Sequence, residues 1–230
     1  MPGRATRLLA GFLALVLIGW GAGELWFLIV GSSDLDAVRE VAADRTQALT
    51  AAARAVTWAG SAYLLVPLAL VCSLALAYSG RRREALLVVF ALGGAMLLSS
   101  LVKLLVSRPR PPVAHLQPVG GSSFPSGHAT QASAFWFSLA LMAGALGGSR
   151  AVRGLAAGAA SGLVAAVAAS RVYLGVHYPA DVVAGVLLGA GWTAWLWHSF
   201  DPAPRDRVRA RPSQAAGHSH GPGDAARPRT

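Results

Sequence analysis

The chain has 230 residues, 54% of them hydrophobic and only 13% charged, with mean hydropathy +0.51. Soluble domains average about 25% charged residues, so the composition points to lipid rather than water as the main solvent. A formal charge of +10 suits either nucleic acid or a membrane protein with basic loops. The arginines cluster at 4–7, 81–83, 150–153 and 205–211, between apolar runs and on no single helix face, which argues against nucleic acid as a partner.

A helix crossing the hydrocarbon core needs about 20 mostly apolar residues. Six such runs are predicted, at 8–30, 55–78, 85–106, 128–146, 155–169 (extending towards 175) and 179–197. The first is too long for a signal peptide and five more follow, so it reads as a retained anchor. The expected fold is therefore all-α: a polytopic membrane protein with six transmembrane helices in one bundle over residues 1–200. Residues 31–54 carry Asp34, Asp36, Glu40 and Asp44 among helix formers and are predicted to form a short surface helix. Residues 79–84, "SGRRRE", make a tight basic turn, and Cys72, the single cysteine, reads as a small buried hydrophobe. It excludes an intrachain disulfide and a cysteine metal cluster.

Residues 107–127, "SRPRPPVAHLQPVGGSSFPSG", are too rich in Pro and Gly to be one regular helix. Small residues four apart along the fifth span suggest close helix packing. Trp192, Trp195 and Trp197 read as an interfacial anchor. Glu24, near an end of the first span, suits either an interfacial or a functional role. Residues 201–230 read as a disordered basic tail lying against anionic headgroups, in which His218 and His220 make a poor metal site.

Arginine sets the orientation. The N-terminus, the 2–3 and 4–5 turns and the tail carry 13 of the 20 basic residues, which makes that side cytoplasmic, with both chain termini on it. Lys103, Arg108, Arg110 and Arg171 remain on the outer side without a topological reason to be there. The third helix ends, the fourth begins, the fifth ends and the sixth begins on that same face. Lys103 and Arg110, then Ser126, Gly127 and His128, then Ser170 and Arg171, then His177 and Asp181 can thus meet at one membrane surface.

Three cations and two helix N-termini suit a phosphate group, because guanidinium forks match its oxygens and helix starts offer free N–H donors. Asp181 lies four residues after His177, on the same face if the turn is helical. A carboxylate on one ring nitrogen leaves the other free to attack phosphorus. His128 can then protonate the leaving alkoxide and later take a proton from water. The cations neutralise the equatorial oxygens, so the chemistry needs no metal and no cofactor.

Lys103-x6-Arg110-Pro111, Pro125-Ser126-Gly127-His128 and Ser170-Arg171-x5-His177-x3-Asp181 together resemble the three-part signature of the type-2 phosphatidic acid phosphatase family, matching every signature position. The resemblance implies that Lys103, Arg110 and Arg171 hold phosphate with Ser126 and the Gly127 backbone. It makes His177 the phosphohistidine, Asp181 its orienter and His128 the general acid, with a hydrogen bond from Ser170. It also implies a lipid phosphate as substrate, a multi-pass protein of the plasma membrane, and a site on the extracytoplasmic face. Some relatives oxidise halides with vanadate, but these are soluble, unlike a chain with six apolar spans. The spacing from Lys103 selects Arg110 over Arg108, which is left to steer substrate or contact a headgroup. Polyprenyl diphosphate, phosphatidate and phosphatidylglycerophosphate all remain open as substrates, transfer to an acceptor other than water remains open, and oligomeric state is unreadable. The rival class is a non-enzymatic transporter or binding protein for phosphate lipids, which would not need two imidazoles and an orienting acid.

Overall fold

A computed structural model describes residues 3–200; the predicted tail, with His218 and His220, lies outside them. The described residues form seven α-helices and no strands. They are α1 (Arg4–Ala43), α2 (Gln47–Thr57), α3 (Ala62–Tyr78), α4 (Arg82–Leu105), α5 (Gly127–Ala145), α6 (Arg150–Tyr173) and α7 (Pro179–Phe200). A single 3₁₀ turn, Trp58–Gly60, joins α2 to α3.

Four helices are long and apolar enough to cross a membrane: α1 over Arg4–Trp26, α4, α6 and α7. The pair Gln47–Gly60 and Ala62–Tyr78, bent by 42° at the break between them, brings the number to five if the two pieces cross as one span. Helix α5, the predicted fourth span, falls short of that test. His128 and Gln131, with Thr130, Ser133 and Ser138, dilute its apolar character, and the last three are buried against protein. The large exposed apolar residues Leu9, Leu17, Ile18, Ile29, Leu70, Val71 and Leu74 lie instead on α1 and α3, giving these helices an outer surface suited to lipid tails.

Two boundaries differ from expectation. The acidic stretch of 31–54 forms no helix of its own; the short helix that starts within that range is α2, which begins only at Gln47. The first helix runs on unbroken to Ala43, and at about 1.5 Å per residue its 40 residues reach well beyond a bilayer core. The helix ends at a turn at Asp44, and α2 starts under a cap in which Thr46 Oγ1 accepts from Leu49 N at 3.2 Å. The predicted span 55–78 is likewise broken at Gly60 and Ser61, where Ser61 Oγ accepts from Tyr63 N at 3.2 Å and starts α3.

Helix α5 sits at the centre, packed by α4, α6 and α7, with α3 on α4, α2 on α6 and α1 along α7. Helices α5 and α7 approach closely: a Cβ on Gly189 would overlap Thr130 O, and one on Gly185 would lie 2.7 Å from Ser126 O and 3.0 Å from Thr130 Oγ1. On α6, Gly158 and Gly162 face open space, with nothing within 4 Å of an added Cβ, while Ala160 is buried. The core runs through Leu98, Val102, Phe124, Phe135, Leu188 and Leu196. Trp192 belongs to this core, not to an interfacial belt. It is 5% exposed, donates from Nε1 to Phe90 O at 2.9 Å, and meets Phe12 edge-on at 5.3 Å. A buried indole needs one acceptor, and the Phe90 carbonyl supplies it. Trp195 does remain 40% exposed.

Candidate active site

The four helix ends expected to meet do meet. Ser126 N, at the start of α5, donates to Asp181 O at 2.9 Å and so fixes the start of α5 to the start of α7. Lys103 Nζ donates to Ser122 O at 2.7 Å, and Arg110 donates from Nη1 to Val176 O at 2.6 Å and from Nη2 to Gly120 O at 2.8 Å. Arg171 Nη1 donates to Thr57 Oγ1 at 2.9 Å and Gln117 Oε1 at 2.7 Å. Lys103, Arg110, Arg171 and His177 all lie close enough for their charges to act on His128. His128 makes no hydrogen bond among the described residues, which leaves both ring nitrogens open to a ligand.

The loop 106–126 is shaped by main-chain bonds, as its Pro and Gly content requires. Ser123 N donates to Arg108 O at 2.8 Å and Leu116 N to Leu174 O at 3.0 Å. Two arginines hold it from the α1–α2 side. Arg45 donates to Ala114 O at 2.8 Å and Tyr173 O at 2.9 Å, and Arg54 donates to Leu116 O at 3.1 Å. Helix α6 ends at Tyr173, and just beyond it Gly175 has a φ of 74°, a left-handed conformation. A Cβ there would also strike the Arg45 guanidinium and Ala114 O, so both backbone and space require glycine. That turn delivers His177 into the site.

His177 is 3% exposed. Its Nδ1 lies 3.5 Å from Asp181 Oδ2 and 3.4 Å from Ser123 Oγ, loose contacts that orient the ring and leave Nε2 unengaged. Burial pushes the His177 imidazole down to about 4; Asp181 opposes this, and Arg171 and Lys103 add to it. The ring is therefore neutral at pH 7, with its Nε2 lone pair available. Partial burial also draws Arg110 below the ordinary guanidinium range, with Asp181 opposing.

Asp181 is fully buried and fully engaged. Oδ1 accepts from Arg108 Nη1 at 2.7 Å, and Oδ2 accepts from Ser123 Oγ at 2.5 Å and Tyr178 N at 2.9 Å. This corrects the expectation for Arg108. It neither steers substrate nor reaches a headgroup: it is 5% exposed, and Nη2 donates to Asp34 Oδ2 at 2.8 Å while its guanidinium lies 3.9 Å from the Tyr178 ring centroid. Two carboxylates on one guanidinium account for its burial, since a buried charge must be paired. Ser170 also differs in detail: its Oγ donates to Val167 O of its own helix at 2.6 Å.

Sequence reasoning missed Asp34, Ser123, Thr57 and Gln117. The first Arg-Pro pair in "SRPRPP", Arg108-Pro109, and an acid just past a span were the available signals. His115 also lies in this loop, outside the convergent set. It is exposed, with Nε2 2.9 Å from Pro111 O.

Among the described residues, Arg110 Nε, Arg171 Nε and Ser126 Oγ, all at positions of the expected site, are buried without a hydrogen-bond partner, as is Arg45 Nη2 beside the loop. Ser126 begins α5 but makes no side-chain cap. Leaving a buried donor unmet is costly, so such a group anticipates a ligand. Two cationic donors, one hydroxyl, the adjacent Lys103 and the start of α5 describe a receptor for an oxyanion, beside two imidazoles.

The model of the PAP2 superfamily matches residues 84–205. The chain is 38% identical over 120 residues to a decaprenylphosphoryl-5-phosphoribose phosphatase of Mycobacterium tuberculosis, covering 50% of this chain and 61% of that protein. It is 30% identical over 138 residues to phosphatidylglycerophosphatase B of Bacillus subtilis, covering 58% and 66% respectively. The chain thus spans just under two thirds of the length of these relatives. Among solved structures, a transmembrane PAP2-type phosphatidylglycerolphosphate phosphatase from Bacillus subtilis superposes with a TM-score of 0.72 at 23% identity, over 88% of this chain and 98% of that one. LpxE of Aquifex aeolicus superposes with a TM-score of 0.58 at 23% identity, over 71% and 94%. At those identities the likeness is one of fold.

Proposed function

Since the chain belongs to the PAP2 superfamily, we propose that it is an integral membrane phosphatase that removes the terminal phosphate of a lipid phosphate or diphosphate through phospho-His177. The carrying observation is the set of unmet buried donors, Arg110 Nε, Arg171 Nε and Ser126 Oγ, next to a histidine held by a carboxylate. The curated relatives are named for a polyprenyl-linked phosphate and a phosphoglycerolipid, which supports a lipid substrate.

In the first step, His177 Nε2 attacks phosphorus as the phosphorus–oxygen bond to the lipid breaks, and His128 gives its proton to the departing oxygen. Lys103, Arg110 and Arg171, with Ser126 and the Gly127 backbone, hold the phosphoryl oxygens through the transition state. In the second step, water loses a proton to His128 and its oxygen attacks phosphorus; the nitrogen–phosphorus bond breaks and inorganic phosphate leaves. Asp181 steadies the His177 ring throughout. Ser170, bonded within α6, acts by keeping the end of that helix, and so Arg171, in register.

The reading includes a bundle of six spans over residues 1–200, with α5 as the protein-enclosed sixth. The site lies on the extracytoplasmic face of the plasma membrane and both termini are cytoplasmic, as the arginine distribution supports. Purified protein offered phosphatidate, phosphatidylglycerophosphate and a polyprenyl diphosphate is expected to release phosphate from at least one. Because three protein cations carry the charge neutralisation, turnover should be unchanged in excess EDTA. Strict dependence on added Mg2+ would contradict the proposed chemistry, and binding without release would favour a carrier.

A further inference from the structure

We propose that Asp34, acting through Arg108, is a positioning residue that sets how firmly Asp181 holds His177. The inference rests on His177 being the nucleophile of the proposed phosphatase.

Asp34 comes from α1, eight residues past the end of its apolar span at Trp26 and outside the stretch 84–205 that the family model matches. It is 4% exposed and makes two contacts, both to the neighbourhood of Asp181. Oδ2 accepts from Arg108 Nη2 at 2.8 Å, while Arg108 Nη1 holds Asp181 Oδ1 at 2.7 Å. Oδ1 accepts from Ala180 N at 3.1 Å, the residue immediately before Asp181. Asp34 therefore grips both the arginine that holds Asp181 and the backbone that presents it. Stacking of Arg108 on Tyr178, the residue after His177, closes the unit.

Charge gives Asp34 a second effect. A guanidinium serving Asp181 alone would withdraw charge from it and weaken it as an acceptor for His177 Nδ1. Sharing that guanidinium with a second carboxylate divides its pull. The balance matters because His177 is otherwise faced by positive groups: Lys103 from α4, Arg110 from the loop, Arg171 from α6 and, when protonated, His128 from α5. Among the described residues, Asp181 is the one carboxylate opposing them directly, and Asp34 the one behind it. Among weakly screened buried groups such differences are larger than in water.

Asp34→Asn keeps the shape and removes the charge. Steady-state kinetics on purified protein, with the lipid phosphate that the wild type cleaves best, should give a kcat reduced on the order of tenfold, as for other residues that orient a reactive histidine through a partner. KM should be unchanged. The acid limb of kcat/KM should move to lower pH, because His177 then holds its proton less firmly. Asp34→Glu should recover part of the rate. A merely structural role would lower the yield of folded protein but leave the limb in place. If Asp34→Asn does not fold, Arg108→Lys, which keeps the charge and loses the fork, should show the same loss of kcat at constant KM. Wild-type kcat and an unmoved limb in Asp34→Asn, or wild-type kcat in Arg108→Lys, would overturn the proposal. An inactive His177→Ala beside a wild-type Asp34→Asn would sink this inference alone, whereas an active His177→Ala would remove its premise.

Discussion

His177→Ala is expected to lower phosphate release from a lipid phosphate by at least roughly 10⁴-fold, the scale seen when a covalent nucleophile is removed. The variant should nevertheless fold. The His177 ring makes only loose polar contacts, at 3.4 and 3.5 Å, and Asp181 keeps its bonds from Arg108, Ser123 and Tyr178 N without it. The buried ion pairs that tie α1, the 106–126 loop and α7 together therefore survive. Phosphate release and thermal unfolding of the same purified sample separate lost chemistry from lost structure. Release at the wild-type rate by a folded variant would refute His177 as the nucleophile.

Arg171→Ala should reduce kcat/KM by about 10²–10³-fold, the usual cost of removing one preorganised donor from a developing oxyanion. Arg171 is 3% exposed and held from two sides through Nη1, by Thr57 of α2 and Gln117 of the loop. Its position is thus set before any ligand arrives, and Nε is left unmet. Arg171→Lys keeps a charge but not the planar fork, so its loss should fall between wild type and alanine. Kinetics of the pair, with far-ultraviolet circular dichroism as a check on folding, test this. Equal and wild-type values for both variants would show that Arg171 braces Gln117 and Thr57 and does not bind phosphate.

The convergence of Lys103, Arg110, Ser126, His128, Arg171, His177 and Asp181 was legible because it needs only the parity of apolar spans and three short motifs. Each span reverses the chain, so polar residues at alternate ends must share a face. The partners of those residues were not legible in the same way. Asp34 joins the site only because α1 continues to Ala43, and no local signal separates one long helix from a span followed by a surface helix. Arg108 and Arg110 are two residues apart in an irregular loop, where spacing does not fix direction. One turns inward to two carboxylates and the other towards main-chain carbonyls. Trp192 shows the limit of composition as a guide: three tryptophans near a span end suggest an interface, yet a carbonyl at Phe90 lets one of them enter the core. The polar face of α5 likewise lowers its apolar signal precisely where protein, not lipid, surrounds it.

The central claim is a covalent bond between His177 and substrate phosphorus. Rapid quenching of the wild-type protein with a lipid bearing a radioactive terminal phosphate, followed by peptide mapping, tests it most directly. The expected result is label on the peptide containing His177, stable in alkali, lost in acid and absent from His177→Ala. Label on another residue, or turnover with no label trapped at any quench time, would contradict it.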